Sequence, residues 1–126
     1  MIEFSSSFSP LAEHVGDVRR FVESSLADWE RVQAREIVVL LASELAANVV
    51  VHAEHDLGDE FVVQVVRNAD LVRVEVSDHH PVIPVVGDGS LDKSFGRELL
   101  LLDALATTWG GIPEAKGKVM WFEVQG

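Results

Sequence analysis

The residues best suited to chemistry fall in three places. Leu40, Glu44, Asn48 and His52 are four apart, so a helix would set them along one ridge. Ile37 and Leu41 flank that ridge, which puts a carboxylate and a carboxamide on a surface that otherwise reads as buried. Burying such groups without partners costs roughly several kcal/mol, so they pair within the protein or bind a ligand. The pattern leaves both options open: Glu44 could pair with an arginine, and Asn48 could bridge a backbone gap. The second place is Asp78, which continues the alternation of Val72, Val74 and Val76 and shares their face. There it could accept hydrogen bonds from a ligand's amino group, or simply end a strand and cap a turn with His79, His80 and Pro81. The third is Phe95-Gly96-Arg97-Glu98-Leu99. A glycine entering a helix lets a ligand approach the backbone, and a helix N-terminus attracts phosphate. Many helices, however, begin at glycine for packing alone.

These residues need elements to hold them. Ser9 suits an N-cap and Pro10 a first helical position. Leu11, Val15, Val18, Val22 and Leu26 then recur at helical spacing, which predicts a helix from about Pro10 to Asp28. A second helix is expected from about Arg31 to Ala53, apolar enough to be buried around most of its circumference. Phe61 to Arg67 and Val72 to Ser77 read as strands joined by a hairpin at Asn68-Ala69-Asp70. Alternation in the second strand predicts one wet and one covered face. Residues His79 to Lys93 contain Pro81, Pro84, Gly87, Gly89 and Ser90 and read as a functional loop. A third helix is expected from near Phe95-Gly96 to about Thr107, then a turn region at Gly110-Gly111 and Pro113, then a last strand from Val119 to Val124. The layout is a two-layer α/β sandwich, not an alternating doubly wound fold.

Composition narrows the function. A chain of 126 residues suggests one domain, spanning 1–126. Ten Lys and Arg against 21 Asp and Glu give a net charge of −11. Such a surface repels phosphate backbones and anionic bilayers, so no nucleic acid and no membrane is expected as partner. No cysteine is present, which excludes disulfides, zinc ribbons, iron–sulfur clusters and thiol catalysis. At 48% hydrophobic the chain can build a core. Met1-Ile2-Glu3-Phe4 has no basic or apolar leader character, and the longest apolar runs are too short to span a bilayer, so a soluble cytoplasmic protein is expected. Gly111 to Lys118 is not a P-loop, and Gly87-Asp88-Gly89 lacks the third glycine of a dinucleotide fingerprint. His52, His55, His79 and His80 match no zinc signature.

Four blocks, in order, resemble the GHKL ATPases, the superfamily of gyrase, heat-shock chaperones, histidine kinases and mismatch-repair ATPases. Glu44-Leu45-Ala46-Ala47-Asn48-Val49-Val50-Val51-His52-Ala53 resembles their N box. Val74 to Pro84 resembles the adenine-binding segment of one branch, the anti-sigma-factor serine/threonine kinases and their single-domain relatives. Gly96-Arg97-Glu98-Leu99 to Ala106 resembles the helix that follows, with Glu98 where the branch has a second glycine. Gly117 to Glu123 resembles its closing strand. The resemblance covers almost the whole chain. It implies an α+β, Bergerat-type ATP-binding fold: a mixed, mostly antiparallel sheet with helices on one face.

The resemblance also implies roles. Glu44 would be the general base, and Asn48 would coordinate Mg²⁺ between the phosphates. Asp78 would bind the adenine amino group. Gly96 and the adjacent backbone at Arg97 would shape the phosphate lid, and Lys118 in the closing strand would belong to the nucleotide site. ATP brings about four negative charges to an acidic protein, so a bridging metal is needed. The implied function is an ATP-binding anti-sigma-factor-type serine/threonine protein kinase acting in regulation of transcription. Its partners would be a sigma factor and an antagonist protein, and it could form a homodimer. Glu98 keeps open an alternative, a degenerate, nucleotide-independent interaction module of the same fold.

Overall fold

Alternation of apolar side chains governs the sheet. In β2 (Phe61–Arg67) every second residue from Phe61 is buried, and in β3 (Leu71–Asp78) every second residue from Val72 is buried. The computed structural model describes residues 1–52, 59–79 and 93–126, and for 93–98 the backbone only. The remaining elements are β1 (Ile2–Phe8), α1 (Val15–Ser25), α2 (Val32–His52), α3 (Lys93–Leu105), β4 (Thr108–Glu114) and β5 (Gly117–Gln125). The strands form one sheet in the order β1-β2-β3-β5-β4. A mixed, mostly antiparallel sheet was expected, and all four pairings among the described residues are antiparallel. The expected hairpin forms at 68–70, where Asn68 Oδ1 accepts from the amides of Asp70 and Leu71, each at 2.9 Å.

The core lies between one face of this sheet and the helices. Val63, Val65, Val74 and Phe122 from the sheet meet Val22, Val38, Leu41 and Leu102 from the helices, all essentially sealed from solvent. Each such side chain contributes about 1.5–3 kcal/mol of burial. The other face carries a polar network. Arg73 lies 4.2 Å from the Trp121 ring centroid and bonds Glu75 at 2.8 Å and Glu123 at 3.2 Å. Partial burial works against the Arg73 charge, but the bonds to the two carboxylates outweigh it and raise its pKa above the usual arginine value.

Four sequence expectations need correction. The chain opens with a strand that its serine-rich sequence conceals. Phe4 and Phe8 lean onto the core while Ser5 and Ser7 face out, and pairing with β2 supplies the ladder. The first helix starts later than Pro10 because Pro10 sits in a bend and a single 3₁₀ turn, Ala12–His14, intervenes. Ser9 does not cap it; instead the Ser9 carbonyl bonds the His14 ring at 3.0 Å. The helix stops at Ser25, and Arg35 bonds the carbonyls of Leu26 and Ala27 just beyond it at 3.3 and 2.9 Å.

The Gly110-Gly111-Pro113 segment is not a turn but edge strand β4. An edge tolerates proline, and a Cβ at Gly110 would come within 3.0 Å of the Trp121 ring. Finally, α3 begins at Lys93 and ends at Leu105, so Gly96 lies inside the helix and not at its entrance. The second helix matches expectation to within a residue, although Val32, Leu40 and Val51 remain exposed on it. The loop expected at 79–93 and the end of the second helix at Ala53 lie outside the described residues, apart from His79 and Lys93.

Candidate functional site

Helix α2 packs on β3, β5 and α3, and its polar ridge runs from a half-exposed beginning into the protein. Leu40 is 38% exposed, Glu44 and His52 are half-buried, and Asn48 is buried. Among the described residues nothing hydrogen-bonds Asn48 Oδ1. Most buried polar atoms find partners, so an orphaned carboxamide oxygen calls for an explanation such as an absent ion. Glu44 lies one turn before it on the same helix.

Asp78 is where alternation places it, buried on the covered face at the end of β3. The strand register sets Lys118 directly opposite on β5. The Lys118 ammonium lies 3.1 Å from Asp78 Oδ1 and 3.0 Å from Oδ2. Both side chains are sealed, at 3% and 5% exposure. Gly117 makes the approach possible: a Cβ there would fall on the Asp78 carbonyl oxygen and within 2.8 Å of His79 Cα.

The structure therefore pairs two residues that the sequence had placed separately. The pairing was missed, although a signal existed. Val124, Phe122, Met120 and Lys118 alternate along one strand, so Lys118 continues a row of core residues. Gly96 and Arg97 belong to α3, whose backbone packs beside α2. Among the described residues no group of three His, Cys, Asp or Glu could hold a metal. His55 and His80 lie outside the described residues. No described helix is long and apolar enough to cross a membrane.

The layout of sheet and helices has a counterpart among known families. The sequence profile of the histidine kinase-like ATPase domain matches residues 8–118. The chain belongs to that family. No curated protein matches it. The expected resemblance to the GHKL superfamily thus holds, and the α+β sheet-and-helix architecture agrees with this ATPase domain.

Membership in the ATPase family implies an ATP site, commonly with Mg²⁺, and the residues present fit that pair. Mg²⁺ favours hard oxygen ligands and octahedral geometry, and Asn48 Oδ1 is a buried oxygen with no protein donor among the described residues. Asp78 carries carboxylate oxygens, which accept hydrogen bonds, and Lys118 donates to both of them.

Proposed function

We propose that this chain binds Mg·ATP and transfers the γ-phosphoryl group to a serine or threonine of a protein, as an anti-sigma-factor-type kinase in the regulation of transcription. One observation carries the reading: a buried, orphaned carboxamide oxygen at Asn48, one helical turn from the Glu44 carboxylate, in a histidine kinase-like ATPase domain. When bound, the magnesium–nucleotide pair supplies the transferable phosphoryl group and the neutralisation of its charge.

The chain's own residues do the rest. Asn48 Oδ1 is the oxygen that would hold the ion. Glu44 takes the proton from the attacking hydroxyl, a role that needs a carboxylate within reach of that proton. Asp78 accepts from the amino group of the base and so fixes the nucleotide's orientation. Gly96 and Arg97 give the phosphates a nearby helical backbone. A small antagonist protein would be the phosphate acceptor and a sigma factor the competing partner.

Replacing Glu44 separates binding from chemistry. Glu44→Gln keeps the size of the side chain and removes its basicity. It should leave calorimetric Mg·ATP binding intact and slow transfer to the cognate acceptor by roughly a hundredfold or more. Transfer at the wild-type rate would remove Glu44 from the chemistry. Asn48→Ala should instead weaken nucleotide binding in the presence of Mg²⁺.

Glu98 supports a second reading, a degenerate module of the same fold that holds a protein partner without nucleotide. A carboxylate in the second turn of α3 stands where the anti-sigma kinases have glycine. Absence of any calorimetric signal with Mg·ATP, alongside a well-folded protein, would favour that module.

A further inference from the structure

Helices α1 and α2 pack on each other, and residues from both line an open groove of about 440 Å³. Its apolar part is Leu26, Val32, Val39 and Leu40. Leu26 is sealed, but Val32 is 54% exposed and Leu40 38%. A helix pair leaves such residues uncovered unless a third element lies in the seam between them.

Charge indicates what kind of element fits. Arg19 and Glu23 rim the groove from α1, Arg35 and Glu36 from α2. The arginines are turned to the protein itself: Arg35 donates to the carbonyls of Leu26 and Ala27, and Arg19 Nε lies 3.5 Å from the Ser43 hydroxyl. Glu23 and Glu36 are exposed, and neither has a hydrogen bond or ion pair among the described residues. Each helix therefore offers a neighbour one unpaired carboxylate, on a chain whose net charge of −11 draws cations.

We propose that the α1–α2 groove docks a basic amphipathic helix of a partner protein. The apolar stripe of that helix covers Val32, Val39 and Leu40, and its lysines or arginines meet Glu23 and Glu36. The stretch from Val32 to Leu40 measures about 12 Å along α2, room for about two turns of a docked helix. Helix-in-groove recognition works through such short rows of apolar anchors, and flanking charges set the choice of partner. Neither Asn48 nor Asp78 lines the groove, so the proposal goes beyond the nucleotide reading and does not depend on it.

The probe is a synthetic leucine–lysine helix of about 16 residues with its leucines at helical spacing, titrated calorimetrically into the full chain. It should bind at least about tenfold more tightly than a scrambled peptide of the same composition, or than the same helix with glutamate for lysine. Leu40→Ser should weaken it about tenfold by removing an apolar contact. Glu23→Gln/Glu36→Gln should weaken it about fivefold, as expected for two exposed ion pairs. Glu3→Gln/Glu114→Gln removes the same charge from the two edge strands and should weaken it less than about twofold. All these side chains are exposed, so the variants should fold, which circular dichroism checks. Absence of binding by the leucine–lysine helix, equal binding of the scrambled peptide, or equal losses in the two charge variants overturns the proposal. So does a wild type that self-associates in sedimentation and that Leu40→Ser makes monomeric, because a second copy then fills the groove.

Discussion

The inner rows of the two central strands each end in a charged residue, and the protein handles the two charges differently. Arg67 closes β2 at one end of the sheet; Asp78 closes β3 at the other, about 20 Å away along the strands. The Arg67 side chain is 8% exposed, but its partner Asp28, 2.5 Å away, is 81% exposed. Its guanidinium carbon lies 5.9 Å from the centroid of the Phe4 ring, and its Nε has no hydrogen-bond partner among the described residues.

Other contacts surround Arg67. Trp29 donates its indole N–H to the carbonyls of Asn68 and Ala69, and Arg31 bonds Asp70 at 2.7 Å. Together they tie the β2–β3 hairpin to the connection between α1 and α2. Asp78 instead faces a counter-ion as deeply buried as itself. A half-wet pair closes the end of a core at small cost because solvent screens it. A fully dry pair is costly to form and more costly to break.

The sharpest way to separate the two ends is to remove one partner from each. Lys118→Met should lower unfolding free energy by about 3–5 kcal/mol in chemical denaturation, since it breaks a buried ion pair by removing one side of it. Asp78→Asn/Lys118→Met should recover much of that loss. Gly117→Ala should cost about 1–3 kcal/mol, because the new methyl must push β5 away from Asp78. It should also weaken ATP, so a loss of stability with unaltered nucleotide affinity would uncouple the glycine from the site.

Asp78→Asn should cut calorimetric ATP affinity by on the order of tenfold, about 1.4 kcal/mol, as one acceptor becomes a mismatched amide. Equal affinity in mutant and wild type would remove Asp78 from the base site. The smallest effect belongs to the other end. Asp28→Asn should cost no more than about 1 kcal/mol and leave ATP affinity unchanged. A larger loss there would mean that Arg67 depends on its exposed partner as fully as Asp78 depends on Lys118.

Much of this architecture was legible in the chain. The alternation in 61–67 and 71–78 has a period of two that no helix reproduces, and it gave the hairpin, the covered face and the inward aim of Asp78. The spacing of four from Glu44 to His52 puts one ridge on α2. Edge elements were illegible for a shared reason. Ile2–Phe8 holds three serines in a row, and Thr108–Glu114 holds two glycines and a proline, so neither reads clearly as a strand by itself. Each is a strand because a neighbour, β2 or β5, supplies its ladder.

The sequence by itself determined which residue types stand on which face, since face follows from local periodicity. Asp78 on the covered side of β3 and Asn48 on the buried ridge of α2 needed nothing more. Tertiary structure alone decided what those residues meet. Asp78 and Lys118 are 40 positions apart, and they touch only because β5 pairs with β3 in the one register that sets 78 against 118. That register depends on the long connection through α3 and β4, and on a glycine that lets two backbones close up. No window of local sequence contains it, because pairing between distant strands is fixed by the energy of the whole core and not by the propensities of either strand.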